Sequence, residues 1–413
     1  MRFKLTLSLL AFIIFFSNIF AQKPFMKFGK IPIEELEMTS YAIDTSAGAV
    51  ILGDFGVTNF DISKDEGFFL TFSTHIRIKI LDKDELDRAD FNIILYESNS
   101  GKDEDLSGLK ACTYNLENGK IVKYKLGRKD IYREKIDKNH KQVKFSLPNV
   151  KVGSVIEVEY RTVSPFVFNL NSWYFQSSIP TRRSEYHVFM PEYFYYKNWV
   201  SGYVPVRKDS ETHTKTFQYT KSATIDPAGG RESGSIVSFE AQVTHWTYTA
   251  ENVPAFINEP YITTVYDYLS AVEFELKSTK YPWSVVKYYT KTWKDINREL
   301  MEDSDFGKQL NNKGHLKAQI EAINNSCSDP LEKMSAAYEH IKSSMLWDKR
   351  YRIWSSGGIR KAYNEGGGSS ASINLNLVAL CRGLGLDANP VLVSTRQTVQ
   401  KLPGIVHKPY SYL

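Results

Sequence analysis

The sequence predicts a multidomain protein in which an antiparallel β-sandwich is followed by an α+β domain. From Ala49 to Val243, short runs of alternating apolar and polar residues are separated by turn residues. Such runs are typical of strands with one buried and one solvated face, which favours antiparallel pairing. From Trp283 the apolar residues recur at helical spacing, and one more strand-like run begins at Asn389. The change of period indicates two different folding units.

The composition is that of an ordinary globular protein. The 413 residues are 42% hydrophobic and 14% aromatic, which is enough for large cores and suits pleated, half-buried surfaces. The 52 basic and 47 acidic residues nearly balance, and they form no sustained basic stripe. We therefore expect no nucleic-acid partner.

Residues 1–21 have the pattern of an export signal. Arg2 and Lys4 precede an apolar run, residues 5–20, and Ala21 supplies a small residue at the cleavage point. The run has the length of a signal peptide's apolar region, and an uncleaved membrane anchor is the alternative. The later sequence has no apolar stretch long enough to span a bilayer. We expect an exported protein of the periplasm, the cell surface or the medium, with no integral membrane segment after signal removal.

The three cysteines, Cys112, Cys327 and Cys381, give little support for a metal site. An exported protein can oxidise two of them. However, Cys112 lies in strand-like sequence and Cys381 in the middle of a predicted helix, which favours burial as small apolar side chains. The sequence has no Cys-x-x-Cys, no His-rich tract and no Glu-x-x-His pair. We predict neither a metal nor a cofactor.

Turn residues indicate two hairpins within the predicted sandwich, residues 22–250. Apolar runs flank Asn118-Gly119, and an Asn-Gly pair favours a two-residue hairpin turn because both residues accept positive φ. A second pair of runs, residues 143–147 and 155–160, flanks a longer turn. We expect these two runs to pair with each other.

Residues 251–280 are predicted to connect the two domains. Two prolines fall within the segment 252–260, which has no apolar period. A last strand-like run, residues 268–276, fits either side of the boundary.

The second domain, residues 281–413, is predicted to begin with helices. A first helix is indicated from Trp283 to Trp293 and a second at residues 316–323. Asp329 and Pro330 are suited to start a third helix as N-cap and first residue. The apolar residues on one face of this third helix are Leu331, Met334, Tyr338 and Ile341.

A predicted loop, residues 347–363, separates the third helix from a last helix at residues 372–385. Only one candidate strand follows, and one strand does not make a sheet. We therefore expect the domain to be completed by residues beyond Leu413 or by another element.

A glycine-rich turn followed by two serines precedes this last helix: Gly366, Gly367, Gly368, Ser369 and Ser370. Acyl-transfer nucleophiles often lie at a helix N-terminus, where the helix dipole stabilises a thiolate and free N–H groups hold an oxyanion. The glycines leave room for a substrate backbone. The pattern therefore marks a candidate site.

The segment from Gly368 to Ala388 resembles the central helix of transglutaminase-like domains, in the papain-like superfamily. That family has a glycine and a spacer before its catalytic cysteine, and its helix ends in Leu-Arg-x-x-Gly-Ile-x-Ala. Here residues 380–388 are LCRGLGLDA, and the strand-like residues 390–396 also resemble the family. Counting back from Arg382 places Ser370 where the family has its cysteine.

The N-terminal half resembles the domain of unknown function that precedes transglutaminase-like domains in exported bacterial proteins. The similar features are the sandwich-like pattern, His245-Trp246 and the segment 252–261. The family's histidine and aspartate lie on strands after the helix, where this chain ends, and no role is carried over to His407. The resemblance thus implies a domain whose catalytic cysteine is replaced.

Ser370 has two interpretations. As a nucleophile it needs a base, because a helix dipole alone does not ionise a serine, and His315 and His340 lie on predicted helices. As a helix cap, Ser369 or Ser370 needs only local geometry. Cys381 lies about 16 Å further along the helix and does not replace the thiol.

Three functions are compatible with these patterns. We first expect a non-catalytic domain that binds a peptide, a protein or a cell-surface polymer in a cleft beside residues 366–370, lined by Trp347 and Trp354. The alternative is an acyl-transferring or amide-hydrolysing enzyme in which Ser370 attacks. The third is glycan binding through the aromatic cluster at residues 193–199, which an interior strand would explain equally simply.

Overall fold

The computed structural model describes residues 25–63, 67–98, 101–136, 139–221, 235–262, 264–281, 284–289 and 292–393. The predicted export signal, the end of the predicted last strand and His407 lie outside the described residues. Within the described part of the chain, every helix is too short or too polar to cross a bilayer.

The strands of the described residues follow in chain order. They are β1 Ala49–Ser63, β2 Gly67–Ile80, β3 Asp90–Tyr96, β4 Asp105–Glu117, β5 Lys120–Lys125, β6 Ile131–Lys135, β7 His140–Ser146, β8 Val155–Ser164, β9 Trp173–Tyr174, β10 Thr181–Pro191, β11 Phe194–Ser201, β12 Arg207–Lys221, β13 Ser235–Val253, β14 Ala271–Thr279, β15 Lys287–Tyr288, β16 Leu346–Trp347 and β17 Gly367–Gly368.

The α-helices lie mainly after the strands. They are α1 Ile33–Glu37, α2 Trp293–Glu302, α3 Lys317–Ser326, α4 Pro330–Ser344, α5 Ile359–Asn364 and α6 Ser370–Gly383. Short 3-10 turns are Lys83–Ala89, Arg128–Asp130, Val265–Asp267, Gly307–Asn311 and Gly314–Leu316. The chain is therefore β-rich first and helical afterwards, as the change of period predicts.

The main element is an eight-stranded sheet of order β12-β13-β10-β1-β2-β8-β4-β5. Its neighbours are antiparallel, except that β1 and β10 run parallel, with Phe55 opposite Glu185. This parallel pair differs from the purely antiparallel expectation. Parallel neighbours need a long crossover, and here the crossover is all of the chain between β1 and β10.

Two smaller sheets pack on one face of the large sheet. One has the order β11-β14-β15 with β9 beside β14, and the other has the order β3-β7-β6. Leu70 of β2 shares a buried core with Phe274 of the first, and Ile78 of β2 shares one with Ile93 of the second. Leu70 and Ile78 are an even number of residues apart on one strand, so both small sheets cover the same face.

One predicted hairpin is confirmed and the other is wrong. Asn118 and Gly119 have φ of 50° and 72° and join β4 to β5. In contrast, β7 pairs with β3 and β6, whereas β8 pairs with β2 and β4. The turn between β7 and β8 carries the chain from a small sheet to the large one. Local turn residues predicted a reversal but not the partner of each strand.

The strand expected at residues 268–276 belongs to the N-terminal part. It is β14, and it pairs with β11 along eight residue pairs from Phe194 to Ser201. β13 ends at Val253, so the described residues between it and β14 form the part of the predicted connector without strands, with one 3-10 turn at Val265–Asp267. The exact domain boundaries stay a prediction.

The opposite face of the large sheet holds a cluster of buried charges that binds the N-terminal segment. Arg77 donates to Glu157 Oε1 at 2.6 Å and to Glu35 Oε2 at 3.1 Å. It also donates to the carbonyl oxygens of Lys27 and Lys30 at 3.2 and 3.0 Å. Charges buried in this way are stable only when paired. The cluster therefore fixes residues 27–35 on the sheet.

Lys79, next on the same face, is also fully buried. Its Nζ donates to the carbonyl oxygens of Leu36 and Gly153, each at 2.7 Å. Burial lowers the pKa of Lys79 to about 8, and Glu35 opposes that shift. The ammonium group thus holds the end of α1 to the sheet.

The helical part differs from its prediction at the first helix. Helical structure begins at Trp293, where Thr292 and Asp295 form a capping box, whereas Lys287–Tyr288 is extended. The third predicted helix is confirmed as α4, with the Asp329 side chain accepting from the backbone N–H of Leu331 and Glu332.

The apolar residues of α4 do not all face the core. Ile341 is buried, whereas Leu331, Met334 and Tyr338 are 67%, 50% and 53% exposed. The core of the helical part forms instead around α6, whose buried residues include Leu375, Ala379 and Leu380. Residues 389–393, where a strand was predicted, form none of the strands given above.

Candidate functional site

The three glycines of the turn bring two backbones together. Gly367–Gly368 pairs in parallel with Leu346–Trp347. A Cβ on Gly367 would lie 2.7 Å from the carbonyl oxygen of Leu346, and Gly366 has φ of 69°. Glycine is therefore required here for a close approach and a left-handed turn. The approaching backbone belongs to the chain itself and not to a substrate.

Ser369 caps α6. Its Oγ accepts from the backbone N–H of Ser372 at 3.4 Å, and its backbone is extended, as expected for an N-cap. The Ser372 hydroxyl lies 3.2 Å from that of Ser369 and 2.9 Å from that of Ser355. All three serines are buried. These three hydroxyl groups therefore bond to one another at the N-terminus of α6.

Ser370, which the sequence comparison aligned with a catalytic cysteine, is hydrogen-bonded to the backbone of Arg352. Its Oγ accepts from the backbone N–H of Arg352 at 3.0 Å and donates to the Arg352 carbonyl oxygen at 3.1 Å. Its own backbone N–H donates to the carbonyl oxygen of Arg350 at 3.0 Å. Only 8% of Ser370 is exposed. The hydroxyl proton, one hydroxyl lone pair and this N–H are therefore occupied within the chain.

The two histidines of the helical part contact other residues. His315 Nε2 lies 2.8 Å from Asn376 Oδ1, and His340 Nε2 lies 2.7 Å from the Tyr363 hydroxyl. Burial lowers the pKa of His340. The described hydrogen bonds of the Ser370 hydroxyl are to backbone groups and not to a histidine. The residues needed for a nucleophile and its base are therefore not brought together here.

Asn376 is a site residue that sequence reasoning missed. It is fully buried, and its Nδ2 donates to the carbonyl oxygens of Ile359 and Ser372 at 3.0 and 2.9 Å. Its Oδ1 is therefore the acceptor for His315, whose Nε2 carries the proton. Asparagine among the apolar residues of a helix, as in SINLNLVAL, is the sequence signal, but it marks Asn374 and Asn376 alike.

Trp347 and Trp354 lie at the surface, 45% and 44% exposed. The Trp347 ring packs at 4.8 Å against that of Tyr351, itself half exposed, and its Nε1 donates to the Arg350 carbonyl oxygen at 3.2 Å. These rings belong to residues 346–354, which we call the aromatic loop. The backbone of this loop contacts Ser370 at the N-terminus of α6, and its rings are about half exposed to solvent.

A cleft of about 550 Å³ lies elsewhere, beside α5. Its lining includes Gln309, Gly358, Arg360 and Asn364 but neither tryptophan. The cleft expected beside residues 366–370, lined by Trp347 and Trp354, stays a prediction.

The aromatic cluster at residues 193–199 is mostly interior. Tyr193, Phe194 and Tyr196 are buried between the sheets, and only Tyr195, 62% exposed, and the half-buried Trp199 face outward. The glycan-binding hypothesis thus loses most of its proposed surface.

The cysteines are unpaired, and the predicted burial of Cys112 and Cys381 is confirmed. Burial raises the pKa of Cys381, which disfavours a reactive thiolate. Within the described ranges, three or more His, Cys, Asp or Glu side chains do not converge in a metal-binding group.

Comparison with known proteins covers both parts of the chain. Residues 71–226 match the family model described as a domain of unknown function with solved structure, DUF3857. The match spans β2 to β12. No curated protein sequence matches the chain.

One solved structure has a similar fold over most of the chain. It is described as a "putative protease" from Parabacteroides distasonis, with a TM-score of 0.52 and 13% sequence identity. The similarity covers 82% of this chain and 59% of that chain, so this chain spans somewhat over half of that protein's length. An M1 zinc metallopeptidase from Deinococcus radiodurans overlaps with a TM-score of only 0.20 at 9% identity, covering 51% of this chain and 45% of that one.

Proposed function

We propose that this protein is an exported binding protein, in which a DUF3857-type β-rich unit precedes a transglutaminase-like domain that does not catalyse. The engagement of Ser370 carries the proposal. Its hydroxyl donates its proton to the Arg352 carbonyl oxygen and accepts from the Arg352 N–H, so the proton is not directed at a base and one of the two lone pairs is occupied.

The start of α6 supports the same conclusion. An oxyanion site needs free N–H groups at the helix N-terminus. Here the N–H of Ser370 donates to Arg350 O, and the N–H of Ser372 donates to Ser369 Oγ. The fold similarity to the Parabacteroides structure is compatible with a transglutaminase-like helical domain. In this proposal, the place of the reaction centre at Ser370 is occupied by the backbone of Arg350 and Arg352.

The aromatic loop is the proposed binding surface. Trp, Tyr and Arg are the residues most enriched at interface hot spots, and this loop exposes Trp347, Tyr351 and Trp354 around Arg350. Lys349 has φ of 66°, a conformation that costs a side-chain-bearing residue energy and is often found at ligand-binding loops. We propose that a peptide segment or a cell-surface polymer packs on these rings.

Substitution of Ser370 tests the catalytic alternative. We expect Ser370→Ala to leave acyl-transfer and amide-hydrolysis rates at the background level and to lower the unfolding free energy by about 1 kcal/mol, for the lost hydrogen bonds. Ser370→Cys restores the family's nucleophile type but should gain no activity, because no base is in contact. Release of amine from glutamine-containing peptides measures both. Activity in the unaltered protein that Ser370→Ala abolishes would establish the enzyme hypothesis instead.

Substitution of the aromatic loop tests the binding surface. We expect Trp347→Ala and Trp354→Ala each to weaken binding of a responsive peptide or polysaccharide by about tenfold or more, as for hot-spot residues. Tryptophan fluorescence against a library of unstructured peptides and against isolated cell-surface polysaccharide gives the measurement. Tyr195→Ala, which changes a more exposed aromatic residue on β11, is the matched control. Equal loss in this control, or no loss in either tryptophan variant, contradicts the proposal.

A further inference from the structure

Four titratable side chains form a continuous row on the large sheet, on the face opposite the small sheets. Glu185 Oε1 lies 2.7 Å from His187 Nε2, both on β10. His187 Nδ1 lies 2.9 Å from His245 Nε2 on β13, and His245 Nδ1 lies 3.0 Å from Glu211 Oε1 on β12. The row thus links three neighbouring strands. Both histidines are buried, whereas the Glu211 side chain is 71% exposed.

The protons of this row can be counted from its hydrogen bonds. Arg183 donates to Glu185 Oε2 at 2.7 and 3.1 Å, so Glu185 is held as a carboxylate and accepts an N–H from His187. Exposed Glu211 is likewise an acceptor for the N–H of His245. If both rings are neutral, the two nitrogens that face each other at 2.9 Å carry only lone pairs. One additional proton between them removes that conflict.

The ring geometry supports a shared proton and not a metal ion. The ring centroids are 5.1 Å apart and the planes differ by 27°, so the two nitrogens lie nearly on the line between the ring centres. Their lone pairs therefore point at each other, as in an N–H···N hydrogen bond, and not toward a third point. The Thr247 hydroxyl lies 3.2 and 3.3 Å from the two nitrogens and can donate to only one.

The charged groups around the pair come from each packed strand. β10 supplies Arg183 and Glu185, and β13 supplies Glu251, which pairs with Arg183 at 3.1 Å. β12 supplies Glu211, with His213 and the Arg207–Asp209 pair on either side. The neighbour from β1 is apolar: the ring centroid of Phe55 lies 5.2 Å from that of His187. Phe189, on β10, stacks on His245 with a centroid distance of 4.1 Å. The two carboxylates that contact the rings favour one imidazolium. Burial and the positive charge of that first imidazolium disfavour a second one.

We propose that His187 and His245 share a single proton between Glu185 and Glu211, and that this proton is a pH-sensitive latch tying β12 and β13 to β10. Above neutral pH the latch loses its proton and two lone pairs face each other across β10 and β13. In acid a second proton places two cations 2.9 Å apart. Glu211 gives the buried pair its exchange route to solvent.

The sign of the pH dependence follows from proton linkage. An unfolded histidine has a pKa of about 6.5. The contacting carboxylates and the facing lone pair hold the first proton of the folded pair more firmly than solvent does, so we expect its stabilisation in acid and its loss as the pH rises. The second is resisted: burial lowers the pKa of His245, with His187 acting in the same direction. That contribution is lost as pH falls below about 6.5, so the stability has a maximum between the two steps.

Nitrogen-15 NMR of the histidine-labelled full chain tests the shared proton. At pH 7 we expect intermediate nitrogen shifts for His187 Nδ1 and His245 Nε2, with one low-field exchangeable proton, while His140→Gln leaves these signals unchanged. The Tm should peak near pH 6.5, and His245→Gln should lose the decline on the alkaline side. Two neutral rings throughout pH 6 to 8, or two independent titrations near pH 6.5, would overturn the proposal. The NMR measurement stands even if the variant does not fold.

Discussion

Replacing Arg77 by methionine is expected to destabilise the β-rich part by about 3 to 5 kcal/mol, because removing one partner of a buried ion pair leaves the other charge uncompensated. The guanidinium is 4% exposed and serves two carboxylates, Glu157 and Glu35, whose side chains are 0% and 6% exposed. Burial alone raises the pKa of Glu157, but the hydrogen bonds from His75 and Arg77 outweigh it and hold that pKa below its usual value. Arg77→Met removes the guanidinium group that pairs with both carboxylates.

Chemical denaturation of Arg77→Met measures this effect, and amide hydrogen exchange locates it. Residues 27–35 should lose protection first, because Arg77 also binds the carbonyl oxygens of Lys27 and Lys30. Arg207→Met is the matched control, since the Arg207–Asp209 pair is 68% and 62% exposed and should contribute less than about 1 kcal/mol. An Arg77→Met protein as stable as the control would show that the cluster does not hold the segment.

Replacing Asn376 by leucine is expected to lower the unfolding free energy by about 2 to 3 kcal/mol, the cost of leaving buried polar groups without partners. Asn376 is fully buried and connects three elements: it accepts from His315 and donates to Ile359 O and to Ser372 O. Leucine has a similar volume, so cavity formation contributes little. The N–H of His315 would lose its acceptor inside the helical part.

Asn374→Leu is the control on the same helix. Asn374 is half-buried, and its Nδ2 donates to Ser370 O at 2.9 Å. We expect a loss of less than about 1 kcal/mol for this variant. Thermal unfolding of both variants gives the comparison, and the histidine NMR spectrum reports whether the His315 tautomer changes only in Asn376→Leu. Equal destabilisation by both substitutions would contradict a special role for Asn376.

These arrangements bear directly on the proposed function. In the helical part, the polar groups that an enzyme would direct at a substrate are bound within the chain: Ser370 to Arg352, Ser369 to Ser372, and His315 to Asn376. The rings of the aromatic loop, in contrast, are about half exposed to solvent. A binding role uses the exposed groups, whereas a catalytic role would need the internal bonds to break.

Features that depend on neighbours in sequence were predictable. The Asn118-Gly119 turn, the Asp329 cap of α4 and the burial of Cys381 each follow from a short stretch of residues and its backbone preferences. The position of Ser370 in the first turn of α6 follows from the apolar period of the helix. In contrast, the first predicted helix was misplaced because apolar spacing alone does not locate a cap.

Features that depend on distant partners were not predictable from the sequence. The pairing of β7 with β3, the parallel pair β1–β10, and the contact of His187 with His245, 58 residues away, need the assembled sheet. A turn pattern fixes where the chain reverses but carries no information about which edge it joins.

The sequence by itself determined that a β-rich segment precedes helices and that a serine stands at the start of the last helix. Only the tertiary structure decided which groups that serine bonds to, because its partner, the backbone of Arg352, lies on a loop that contacts the start of the helix. The physical reason is that hydrogen-bond partners are chosen by distance in space. Local sequence restricts backbone angles, whereas packing between distant segments decides which buried groups meet.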